Sequence, residues 1–90
     1  MKIIYRLVTY SRATDRLIAS RDVPEELVAR VKEIAGITAD DDGLGDYPLD
    51  SRQAREIGRL LEVPVTPKTA EYFLEPYVFE MDAGDRAAGQ

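Results

Sequence analysis

Glu71, Glu75 and Glu80 are the nearest this chain comes to a catalytic carboxylate pair. Two carboxylates do acid–base work when their environments push their pKa values apart. The spacing here matches the polar positions of a strand and its end equally well. The remaining inventory is sparse. The chain has no cysteine and no histidine. That composition excludes disulfides, Cys/His zinc sites and Cys-His or Ser-His nucleophile pairs. It also removes the commonest general base near neutral pH. There is no GxSxG, no glycine-rich phosphate loop and no HExxH. The chain therefore reads as non-enzymatic, with no cofactor and no metal.

Three other groups of residues carry binding chemistry. Arg52, Arg55 and Arg59 recur at helical spacing and, with Glu56, fall within an arc of about 100° on one helix face. Such a stripe can grip a carboxylate or a phosphate. A solvated helix face with Glu56 and Glu62 interspersed explains the same pattern. Asp40, Asp41, Asp42 and Asp46 lie in a glycine-containing loop. Set on the EF-hand template with Gly43 at the sixth position, the loop places Leu49 where the bidentate glutamate belongs. It reads instead as a charged, solvated loop open to a basic partner. The third group is aromatic. Residues 72–79 hold four of the seven aromatic side chains, with Phe73, Tyr77 and Phe79 alternating to one side. Exposed together, these would form a partner or homodimer surface. Buried rings with hydroxyls at the rim are the competing explanation.

These groups need elements to hold them. Residues 2–10 are β-branched and aromatic, with no Gly or Pro, and predict a strand. Its odd set, Ile3, Tyr5, Leu7 and Thr9, is uncharged and is assigned to the core. The even set contains Ile4, Val8 and Tyr10, as expected of a strand partly covered on its second face. A polar loop from Ser11 to Asp15 leads to a second strand at Leu17–Ser20, giving a hairpin. Pro24, Glu25 and Glu26 open a helix that runs to about Ala35, with Asp22 or Val23 as its cap and Gly36 as its stop. Residues 36–47 read as loop. A second helix starts after Asp50, with Gln53 completing a capping box, and ends at Val63-Pro64. Gly58 in that helix predicts a close backbone approach. Residues 72–79 form the last strand. Pro76 removes a ladder donor and points to an edge strand or a bulge.

The result is one α+β domain over residues 1–80, with order β-β-α-α-β. Two helices pack on one face of a three-stranded antiparallel sheet. Its first strand, apolar on both sides, is placed centrally, with the last strand beside it. Residues 81–90 read as a disordered tail. The net charge of −5 argues against nucleic acid. Residues 36–50 contain five acids and no base. No apolar run approaches the roughly 20 residues needed to span a bilayer. The start, Met1 to Arg6, does not read as a signal peptide, so a cytoplasmic location is expected.

An apolar first strand, Asp22-Val23-Pro24-Glu25-Glu26 at a helix start, Tyr47-Pro48-Leu49 ahead of a helix, and Tyr72-Phe73-Leu74-Glu75 near the end together form a pattern. It resembles a family of small bacterial proteins of unknown function and extends nearly to Glu80. The resemblance implies no activity, cofactor or catalytic residue. The chain is expected to bind a protein partner or a second copy of itself through Phe73, Tyr77 and Phe79. The alternative is a small ligand or anion held by Arg52, Arg55 and Arg59.

Overall fold

The computed structural model describes residues 2–79. The elements are β1 (Lys2–Ser11), β2 (Leu17–Asp22), a 3-10 turn (Glu25–Leu27), α1 (Val28–Ala35), β3 (Tyr47–Leu49), α2 (Ser51–Leu61) and β4 (Ala70–Phe79). The sheet is antiparallel with order β2-β1-β4-β3. The fold is therefore α+β with four strands, and the expected three are corrected. The extra strand is Tyr47–Leu49, which lies in and just past the segment read as loop. Three residues with a central proline carry no alternation. Only pairing with Tyr72, Phe73 and Leu74 makes them a strand. The disordered tail expected at residues 81–90 lies outside the described residues.

Pairing assigns each side chain to a face, because residues opposite one another across an antiparallel ladder point the same way. Leu7 pairs with Leu74 and Thr9 with Tyr72, while Tyr47 and Leu49 continue the same face from β3. Tyr5, Leu7, Ala70, Tyr72 and Leu74 join Val31 of α1 and Ala54, Ile57 and Leu61 of α2 in one buried cluster. Tyr5 and Leu7 of the odd set of β1 thus face the core, while Ile3 near the strand's start is 37% exposed.

The helix ends follow local rules. Asp50 accepts a hydrogen bond from the Gln53 N–H, and the Gln53 side chain accepts one from the Asp50 N–H, the reciprocal capping box. Gln53 also donates to the Ile34 carbonyl at 3.0 Å, tying the start of α2 to the end of α1. Gly36 closes α1 with φ +80°. The start of α1 differs from expectation. Asp22 belongs to β2 and bonds Arg6, and neither it nor Val23 caps a helix. Pro24 instead opens a 3-10 turn without a side-chain cap. The second helix ends at Leu61 with Glu62 in a left-handed conformation, before Val63.

A β-carbon on Gly58 would collide with the Val65 side chain and lie 3.1 Å from the Val63 carbonyl. The segment leaving α2 folds back over this glycine, which is the close approach its presence in a helix predicts.

The edge position expected for residues 72–79 is corrected. β4 lies between β1 and β3. Its pairing with β3 covers only Tyr72 to Leu74, however, so from Glu75 onward its outer side has no strand among the described residues. Pro76 sits in that open part. It pairs with Tyr5, whose carbonyl accepts from the Val23 N–H on the β2 side. Tyr5 directs its peptide groups away from β4, so the Pro76 nitrogen faces the open side and no ladder bond is lost.

Candidate functional site

The second face of the sheet is built from the even positions of β1 and the odd positions of β4. Ile4 pairs with Tyr77, Arg6 with Glu75 and Asp22, Val8 with Phe73 and Ser20, and Lys2 with Phe79. Pro48 of β3 lies opposite Phe73. Phe73, Tyr77 and Phe79 therefore share this face, as their alternation predicts. Tyr77 is 42% and Phe79 37% exposed, while Phe73 is half-buried.

The centre of the face is organised by its own contacts. Phe73 meets Tyr10 edge-on, with ring centres 5.6 Å apart. The Tyr10 hydroxyl donates to Glu75 at 3.1 Å. This bond to a carboxylate raises the Tyr10 pKa above its ordinary value, since ionising the phenol would set two anions together. Arg6 lies 3.9 Å from the centre of the Tyr77 ring and donates to Asp22 at 2.7 Å. The Asp22 bond raises the Arg6 pKa further. Arg12 reaches Glu71 at 3.4 Å and the Pro67 carbonyl at 2.9 Å. Val8, 3% exposed, is sealed beneath this layer and lies outside the main core cluster. Arg6 and Tyr10 belong to this face, with Val8 buried beneath them, and all three were missed as site residues. Their signal was the apolar content of the even set of β1.

Glu71 and Glu75 share the face, each engaged by a neighbour, Arg12 or Tyr10. Glu80 lies outside the described residues.

The arginine stripe is exposed on α2. Arg52, Arg55, Arg59 and Glu56 line a depression of 320 Å³. Glu56 binds Arg52 at 3.6 Å and Arg30 of α1 at 3.5 Å. The stripe thus carries its own carboxylate at its centre. The structure does not bring these arginines near Phe73, Tyr77 and Phe79, which lie on the strand face.

The acidic loop folds onto the core side. The Tyr5 hydroxyl donates to the Gly43 carbonyl at 2.8 Å. Asp41 accepts from the Tyr47 hydroxyl at 2.6 Å and from the Gly43 N–H at 2.8 Å. These bonds, the tyrosine first, lower the Asp41 pKa and raise that of Tyr47. Asp42 accepts from the Leu44 N–H. Asp41 and Asp42 therefore serve the turn. Among the described residues no group of three or more Asp or Glu is placed to hold a metal ion.

A larger depression, 780 Å³, opens between the start of β1, the end of β2 and α1. Lys2 and Lys32 line it, but so do Asp22 and Glu25. Nothing in the sequence signalled it.

A model for a domain of unknown function, DUF7683, matches residues 4–75. The chain belongs to this family. Arg6, Val8, Tyr10, Phe73 and the arginine stripe fall inside the matched stretch, while Tyr77 and Phe79 lie beyond it. Searches of curated proteins and of solved structures gave no match. Among the described residues no helix is long and apolar enough to cross a membrane.

Proposed function

We propose that the chain is a non-enzymatic binding domain that engages another protein through the Arg6–Phe73–Tyr77 face of its sheet. The observation that carries the reading is the division of the sheet. Both helices contribute to the cluster on the Tyr5 side, while the opposite face presents Tyr10, Phe73, Tyr77 and Phe79 with no helix over them among the described residues. Tyrosine and arginine dominate the energetics of protein interfaces, and aromatic anchors held in place by neighbours lose little entropy on binding. Arg6 and Tyr77 are such a pair.

The arginine stripe supports an anion site less well. Glu56 already occupies its centre, so an entering carboxylate or phosphate meets a like charge.

The test immobilises the wild-type chain and the double variant Tyr77→Lys, Phe79→Lys, and compares what each retains from host extract, alongside the solution mass of each. Both substitutions fall on exposed positions, so the fold persists. The wild type is expected to retain a stoichiometric protein, or a second copy, that the variant does not. Identical retention and identical monomeric mass for both chains would overturn the reading.

A further inference from the structure

We infer that the occupant of this face is a second copy of the chain, meeting it sheet to sheet across a twofold axis. The inference rests on the binding face proposed above and names its partner.

The argument starts from charge. The chain carries −5 in total. Two copies of an acidic chain repel unless they meet where the charge is low. The open face is such a place. Lys2, Arg6 and Arg12 offset Asp22, Glu71 and Glu75 there. Asp46, which precedes Tyr47 at the start of β3 beside β4, adds one negative charge at the border of the face and leaves it near −1. Its ion pairs, Arg6–Asp22 and Arg12–Glu71, close within one chain. An oppositely charged partner would find few free charges to match. An identical, nearly neutral aromatic face meets no such difficulty.

The Asp40–Asp42 segment lies on the far side. The Tyr5 hydroxyl, which points into the core side, bonds Gly43 and fixes the Asp40–Asp42 segment there. Facing sheets pack about 10 Å apart, so the two acidic segments end up roughly 20 Å or more from each other, against a Debye length of about 8 Å at physiological salt. Their repulsion is largely screened.

Size sets the strength. β1 and β4 have ten residues each. At about 3.3 Å per residue and 4.8 Å per strand, the face of β2, β1 and β4 covers roughly 450 Å² in projection. Two copies then bury on the order of 900 Å², below the usual range for stable complexes and within that of weak, reversible ones. The inferred dimer forms and dissociates with concentration.

Sedimentation equilibrium of the full chain from about 1 μM to about 1 mM tests this. The mass is expected to rise from one chain to two across that range. Tyr77→Lys with Phe79→Lys is expected to weaken association at least tenfold, and Arg55→Glu with Arg59→Glu to leave it within twofold. Because the contact is aromatic and near neutral, added salt is expected not to weaken it. Three results would overturn the inference: a single-chain mass throughout, association abolished by salt, or association lost with the arginine variant and kept with the aromatic one. The last two point to the acidic loop meeting the arginine stripe. A single-chain mass alongside a different protein retained through Tyr77 and Phe79 would sink the second copy and leave the binding reading standing.

Discussion

The Arg6 guanidinium lies 3.9 Å from the centre of the Tyr77 ring while its Nε donates to Asp22 at 2.7 Å. Three strands meet in this one contact: β1 supplies the cation, β4 the ring and β2 the carboxylate. The planar guanidinium can stack and donate at once, and a lysine ammonium cannot do both in this geometry. Arg6→Lys keeps the charge and removes the arrangement. The expected outcome is an unchanged far-ultraviolet spectrum, an altered tyrosine near-ultraviolet signal, and self-association roughly two- to fivefold weaker, the equivalent of one exposed cation–π contact. Sedimentation and circular dichroism together check it.

Gly58→Ala sets two effects against each other. Alanine improves an exposed helix position by about 1 kcal/mol. Here the new methyl meets the Val65 side chain, stiff at χ1, and the Val63 carbonyl at 3.1 Å. Overpacking of this kind costs about 1–3 kcal/mol, so a net loss on the order of 1 kcal/mol is expected in urea denaturation. Combining it with Val65→Ala removes the side-chain collision, and the double variant is expected to lose less than the two single changes added together.

Asp50→Ala removes the cap of α2. Loss of such a cap costs about 1 kcal/mol. Gln53 loses its reciprocal partner, and its bond to the Ile34 carbonyl is left less well held. A lower urea midpoint with an unchanged slope is the expected reading. Asp50→Asn, which can still accept from the Gln53 N–H, is expected to recover most of the difference.

The Asp41–Tyr47 bond makes stability depend on pH at both ends. Asp41 has a lowered pKa in the folded chain. Its contribution is present above the ordinary carboxylate value of about 4 and is lost as pH falls through the folded value. Tyr47 has a raised pKa, so its contribution is present below about 10 and is lost as pH rises through the folded value. Tyr47→Phe removes the tyrosine dependence and the largest contribution to the carboxylate one, while the Gly43 N–H still holds Asp41. Thermal denaturation across pH is expected to show the wild-type advantage over Tyr47→Phe shrinking toward both extremes. An ultraviolet titration is expected to show one fewer late-ionising tyrosine in the variant.

The sequence by itself determined the features set by near neighbours. The capping box of Asp50 and Gln53, the Gly36 stop, the hairpin after β1, and the alternation that sends Leu7, Tyr72 and Leu74 to one side all follow from local rules. Spacing alone carries that information. The shared face of Phe73, Tyr77 and Phe79 was legible for the same reason. What the tertiary structure decided depends on contacts between residues far apart in the chain. Tyr47-Pro48-Leu49 becomes a strand only because β4 offers it a partner, and three residues are too few to show a period. Asp22 leaves the helix start because Arg6, on the neighbouring strand, claims its carboxylate. Arg6 and Tyr10 enter the candidate surface, and Val8 its support, only when β1 is seen beside β4, since pairing, and not order along the chain, sets which side chains share a face. The charge pattern divides likewise. Composition supplies the net −5, but the bond from Tyr5 to Gly43 decides that the Asp40–Asp42 segment lies on the core side, away from the aromatic face.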